Sequence, residues 1–299
     1  MNDTPAAARV LATPPLRPEY LRDVNSGVDV GVVEKPLTAA QRVLHQTWLR
    51  KTIILVVIAA AWELYARHIN NPLMVPTFSA TLDAWRAGIA GGDLPQKVLN
   101  SVVLLLKGYA LGLGLAMAFT ALAMMSRIGN DLLETLTSAF NPLPAIALLP
   151  LAFLWFGLGD LSIIFVLVHS VLWAVALNTH SGFKSVSATL RMVGRNYGLK
   201  GPRFILKILV PAAFPSIVTG LKIGWAFAWR TLIAAELVFG VSSGQGGLGW
   251  YIYESKSMLE IPSMFAGLLT VIAIGLLVEN LVFRNVETVT VRRWGMQSS

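Results

Sequence analysis

Long apolar runs with few charges recur along this chain and decide its class before any motif does. They occupy roughly 52–66, 101–125, 132–156, 161–179, 212–239 and 263–283. A helix needs about 20 mainly apolar residues to cross ~30 Å of hydrocarbon. Only 13% of the residues are charged, against roughly 25% in soluble domains. Six transmembrane helices in an all-α membrane protein are therefore expected. The run at 52–66 is short, so its flanks must help, and Trp48 and Trp62 suit the two interfaces. A short interfacial helix is expected around Ala80–Ala90, between the first two spans.

Charge orients the spans. The net charge is +8, and the basic residues lie mainly in the two tails and in one central segment. Between Ser181 and Pro211 there are six basic residues, Lys184, Arg191, Arg195, Lys200, Arg203 and Lys207, and no acidic one. Short Lys/Arg-rich loops stay in the cytoplasm. With six spans, both termini then fall on that side. Anionic lipid is a sufficient partner for the positive charge, and nucleic acid is not expected. The chain reads as a tail at 1–45, a membrane domain at 46–290 with a cytoplasmic loop at 181–210, and a short tail at 291–299. No apolar core of signal-peptide type lies near Met1, so no cleaved leader is expected.

Several residues inside the spans are costly there. The third span carries Pro142, Pro144 and Pro150, beside Asn141. Prolines at membrane depth mark either a broken helix lining a pathway or a kinked packing helix. His169 sits mid-span, where a lone His is more often a packing residue than a ligand. Gly108-x-x-x-Gly112 and Gly220-x-x-x-Gly224 place small residues on one face, a weak sign of close helix approach. The fifth span holds Lys222, Trp229, Arg230 and Glu236. Arg230 and Glu236 are about 120° apart on a helix and cannot pair within it. Lys222, Ala226, Arg230 and Ala234 form a small basic stripe that either lines an anion route or pairs with another helix. An Arg at the bilayer centre costs about 2.5–3.5 kcal/mol on insertion scales, which favours a cavity or a partner.

Other signals exclude chemistry. The absence of Cys excludes thiolate nucleophiles and Cys-ligated metal. The four His show no metal-ligand spacing. Gly244-Gln245-Gly246-Gly247-Leu248-Gly249 matches G-x-G-x-x-G, but without the strand and helix of a dinucleotide site. It reads as a flexible external loop between Gly240 and Ile261. No G-x-x-x-x-G-K-[ST] occurs, so this chain holds no phosphate cradle of that type and no cofactor of its own.

The central loop resembles that of binding-protein-dependent ABC importer permeases. Their signature reads Glu-Ala-Ala, three residues, Gly, nine residues, then Ile-x-Leu-Pro. Here Gly198 is followed by Ile208-Leu209-Val210-Pro211, while Met192-Val193-Gly194 stand at the Glu-Ala-Ala positions. Asn141-Pro142-Leu143-Pro144, Trp155-Phe156-Gly157-Leu158-Gly159 and Ala234-Ala235-Glu236-Leu237 resemble the nitrate, taurine and aliphatic sulfonate branch. The resemblance implies a type I permease fold that provides the pathway for a small anionic or zwitterionic solute. It implies a homodimer, two cytoplasmic ATPases that bind ATP and Mg, and an external solute-binding protein. Leu190, Arg191, Val193, Arg195, Gly198, Leu199 and Pro211 would couple to the ATPase. Arg230, Glu236, Trp229, Asn141, Pro144 and His169 would line the pathway. The competing reading is a self-contained ion-coupled transporter, which expects mid-membrane carboxylates. Those within spans, Glu63, Glu134, Glu236 and Glu279, all lie towards ends.

Overall fold

The computed structural model describes residues 46–239 and 246–292. The expected N-terminal tail, residues 293–299 and the start of the glycine run (Ser242 to Gln245) lie outside them. The chain divides into two units, Met1–Leu55 and Val56–Ser299. All packing described below is within the second.

Among the described residues the secondary structure is helical. Helix α1 is Thr47–Ile69, α2 Phe78–Ala90 and α3 Asp93–Met125. Helices α4 (Arg127–Phe140) and α5 (Ala145–Phe156) form a pair bent by 90°. Helix α6 is Asp160–Ser185 and α7 Ala188–Asn196. Helices α8 (Gly201–Ala212) and α9 (Phe214–Phe239) meet at 81°. Helix α10 is Leu248–Ser257, and α11 is Ile261–Thr290, with a π turn at Val278–Phe283. Four helices are long and apolar enough to span a membrane, and counting each bent pair as one span brings the number to six. The expected six-span, all-α architecture is what the chain adopts.

One open choice is decided, and two expectations need correction. The third span is broken rather than kinked. Pro142 and Pro144 have no N–H to donate, and Pro144 takes extended dihedrals (φ −60°, ψ 119°), so the helix stops at Phe140 and restarts after a 3₁₀ turn. The fifth span begins at Phe214, after Pro211. A proline suits the first turn of a helix, which sets the expected start at Pro211. Pro211 lies in the last turn of α8, at the 81° bend, and Pro215 is in the first turn of α9. The external segment between the last two spans is not all loop, since it contains α10, whose Leu248 and Gly249 are buried.

Helix α6 is the centre of the fold, packed between α3 and α9. Both small-residue repeats point at it. A Cβ on Gly108 would lie 2.6 Å from Leu167 Cβ, and one on Gly112 2.8 Å from Val171 Cβ. From the other side, a Cβ on Gly220 would meet Asn178 Cβ at 2.9 Å, and one on Gly224 Val175 Cγ2 at 2.9 Å. Real Cβ atoms do not approach so closely, so each glycine is required by its neighbour. Without a hydrophobic force between helices in lipid, this close packing is what holds them. Helix α2 is fastened separately. Glu63 accepts the backbone N–H and the hydroxyl of Ser79 at 3.0 and 3.1 Å, and Trp85 Nε1 donates to Thr270 Oγ1 at 3.0 Å.

Gly112→Leu is expected to overpack the α3–α6 seam, costing about 1–3 kcal/mol. Thermal unfolding of the purified protein should fall by several degrees. An unchanged midpoint would show that the seam is loose.

Candidate functional site

The 90° break places Asn141, Pro142, Leu143 and Pro144 opposite α6 and α9. A cavity of about 340 Å³ lies there, lined also by Phe140, His169, Trp173, Phe227, Arg230 and Thr231. Irregular backbone at membrane depth is tolerated where it lines a cavity, and that is its position here. A second cavity, about 320 Å³, is lined by Glu134, Thr137, Ser138, Leu177 and His180 and shares Asn141 and Pro142 with the first. His169, Trp173, Leu177 and His180 recur every three or four residues, so one face of α6 follows both cavities. The proline break is thus the wall common to two successive chambers.

Four of the expected pathway residues, Asn141, Pro144, His169 and Arg230, meet in the first chamber. Arg230 is exposed. Its Nε donates to Ala226 O at 2.9 Å, and its guanidinium lies 5.2 Å from the Phe227 ring centroid. Among the described residues it forms no ion pair. Lys222, of the same stripe, does: it lies 2.8 Å from Glu279 and 3.0 Å from Glu287 of α11. The stripe therefore divides into one neutralised cation and one free one. Phe140 and Trp173 stack at 5.3 Å, and the His169 ring stands edge-on to each at 6.2 Å. Both His169 nitrogens and Trp173 Nε1 are buried without a hydrogen-bond partner. Unsatisfied buried polar atoms are uncommon in folded proteins, and these belong to side chains that line the chamber.

Glu236 and Trp229 are not brought to the chambers. Trp229 is 6% exposed in the core. Glu236, 3% exposed, belongs to a polar cluster that fixes α10. Ser101 Oγ donates to the carboxylate at 2.8 Å and accepts the Leu248 N–H at 2.8 Å. Gly249 N–H donates to Glu236 Oε2 at 2.8 Å. The carboxylate and the hydroxyl thus satisfy donors of the first turn of α10 that have no partner within the helix. A Cβ on Gly249 would lie 2.6 Å from Glu236 Cβ, so this part of the glycine run serves close approach, not flexibility.

On the central segment, α7 ends in a Schellman motif. Leu199 N–H donates to Gly194 O at 3.1 Å and Gly198 N–H to Arg195 O at 2.9 Å, with Gly198 at φ +75°. Gly198 is therefore there for its left-handed conformation. Gly194 is buried, and a Cβ on it would meet Phe204 and Ile208 at 2.9 Å. Arg191 turns back onto α6, donating from Nη2 to Phe183 O at 2.5 Å and from Nε to Val186 O at 3.1 Å. It closes the carbonyl end of α6. Leu190, Met192, Val193 and Tyr197 are exposed, Tyr197 by 81%. Arg195 and Leu199 line a separate cavity with Arg191, and Pro211 marks the α8–α9 bend.

A family model for the binding-protein-dependent transport system inner membrane component matches residues 110–291. The chain belongs to this family. The permease is 33% identical to a protein named as an ABC transporter permease in Methanocaldococcus jannaschii, over 73% of this chain and 82% of that one. It is 28% identical to the aliphatic sulfonates transport permease protein of Bacillus subtilis, over 79% and 84%. It is 25% identical to the taurine transport system permease protein of Escherichia coli, over 79% and 86%. The permease is a multi-pass inner-membrane transport subunit, not an enzyme, and it works beside an ATPase and a solute-binding protein.

Glu236→Ala would leave Ser101 Oγ and the Gly249 N–H without their acceptor, costing about 1–3 kcal/mol. A lower unfolding temperature and faster proteolysis around α10 are expected; neither changing would remove Glu236 from this role.

Proposed function

We propose that the two chambers form the translocation pathway for a small anionic or zwitterionic solute: nitrate, taurine, a sulfonate or a related organic acid. The observation that carries this is Arg230, which faces the first chamber with no carboxylate partner among the described residues. An unneutralised Arg at membrane depth favours an anion that visits it. Asn141, His169 and Trp173 supply further polar atoms, and the names of the relatives agree with the chemistry. Glu236 and Trp229 hold the wall without touching the solute.

Both termini lie in the cytoplasm, and two permeases pair with two ATPases that bind ATP and Mg. The exposed residues Leu190, Met192, Val193 and Tyr197 of the segment around α7 form the docking face for the ATPase, and Arg191, Gly198 and Pro211 set its position. The remaining apolar exposure, such as α1 beyond Val56, faces lipid or the second copy.

The alternative, an ion-coupled transporter, finds the four Glu residues expected within spans already engaged. Glu63 pairs with Arg67 at 2.7 Å, Glu134 with Lys184, Glu279 with Lys222, and Glu236 is held by Ser101 and Gly249.

Two measurements test the proposal. Arg230→Ala should cut solute uptake by the reconstituted transporter about tenfold or more while assembly persists, since a charge-assisted hydrogen bond contributes about 1.5–3 kcal/mol. Undiminished uptake would demote Arg230 to packing. Gly198→Val should abolish stimulation of ATP hydrolysis by loaded binding protein, because a β-branched residue at φ +75° costs about 1–3 kcal/mol. Retained stimulation would separate α7 from coupling.

A further inference from the structure

A third cavity, about 420 Å³, lies behind α7 and has no part in the pathway. One wall is cationic, formed by Arg191, Arg195 and Lys200; no carboxylate lines it. The other wall is apolar, built from Met124 and Met125 at the end of the spanning helix α3 and from Phe204, Ile205 and Leu209 of α8. Among the described residues neither Arg195 nor Lys200 forms an ion pair. Arg191 has its guanidinium fixed by carbonyl oxygens, so its charge is oriented but not neutralised.

Position identifies the occupant. The cavity sits where α3 ends and α8 begins, and α8 runs at 81° to the spanning helix α9. Helix α8 presents Arg203, Leu206 and Lys207 outward, the pattern of a helix lying in the membrane interface. On α7, Val193 projects about 160° away from both Arg191 and Arg195. Val193, in the face proposed for the ATPase, therefore points away from the cationic wall. Size also decides. An inorganic anion, comparable to a few waters of about 30 Å³ each, would fill little of the space and leave the apolar wall bare.

We infer that this cavity binds the phosphodiester headgroup of an anionic glycerophospholipid of the inner leaflet, with the first acyl carbons against Met124, Met125 and Phe204. Basic pockets between membrane helices on the cytoplasmic side suit such headgroups. The lipid would bridge the end of α3 to α7, so the membrane itself would support the element on which the ATPase pulls. The inference rests on α7 being cytoplasmic only for the choice of leaflet, and not for binding.

The test is native mass spectrometry of the permease–ATPase complex titrated with phosphatidylglycerol or phosphatidylcholine, where both faces are accessible. Phosphatidylglycerol should bind at least tenfold more weakly to Arg195→Gln/Lys200→Gln, since each cation near a lipid phosphate contributes about 1 kcal/mol. The control, Arg203→Gln/Lys207→Gln, removes equal charge outside the cavity and should change binding less than twofold. If the cavity pair fails to assemble, Lys200→Gln alone carries the same comparison, being exposed and outside any helix. Equal weakening in both pairs would reduce the site to diffuse surface charge and overturn the inference. Displacement of the lipid by millimolar inorganic phosphate or glycerol phosphate would make it a soluble-anion site. Unweakened binding to the cavity variants would also refute it. Uptake defects from Arg230→Ala leave this readout untouched, so the two proposals fail separately.

Discussion

Two glycine faces grip one helix, and the rest of the structure depends on that grip. Helix α6 is held by Gly108 and Gly112 from α3 and by Gly220 and Gly224 from α9, against Leu167, Val171, Val175 and Asn178. In lipid, where apolar side chains gain little by leaving their surroundings, contact of this closeness is the main source of helix association. It fixes the rotation of α6 about its axis. One face is committed to the glycines, and another, carrying His169, Trp173, Leu177 and His180, is left towards the broken helix. The chambers exist because the proline break cannot pack against that face as a continuous helix would.

Charge follows the same division between holding and moving. Every carboxylate noted inside a span is satisfied locally, and each satisfied pair fastens one element to another: Lys222 ties α9 to α11, Glu134 ties α4 to Lys184 of α6, and Glu236 ties α9 to α10. Arg230 is on the same helix as two of these fasteners and takes part in neither. Arg230 instead faces a cavity with no carboxylate partner among the described residues, which leaves it available to a mobile partner. An ion-coupled carrier needs the opposite arrangement, with a carboxylate free to exchange its cation.

Local signals in the sequence carried much of this. The apolar runs gave the spans because length and uncharged composition are sufficient in a bilayer. The prolines marked the break, and the two glycine repeats marked the seams, although neither repeat names its partner. The chamber residues Asn141, Pro144, His169 and Arg230 stood out because each is costly at membrane depth. Trp173 was within reach, one turn from His169 on the same face. What was not legible depends on contacts between distant segments. Ser101 has no signal of its own, yet it joins Glu236 to α10 across 135 residues. Helix α10 hid in a glycine-rich stretch whose glycines serve close packing, and the inward turn of Arg191 onto α6 looks in sequence like any exposed cation.

The absence of Cys makes the central claim directly measurable. A single Cys introduced at Thr231, on the wall of the first chamber, can be probed with a membrane-impermeant thiol reagent applied to either side of the assembled transporter. The account predicts labelling from one side without nucleotide and from the other when ATP is trapped on the ATPases. Labelling from the same side in both states, or protection from both sides throughout, would contradict it.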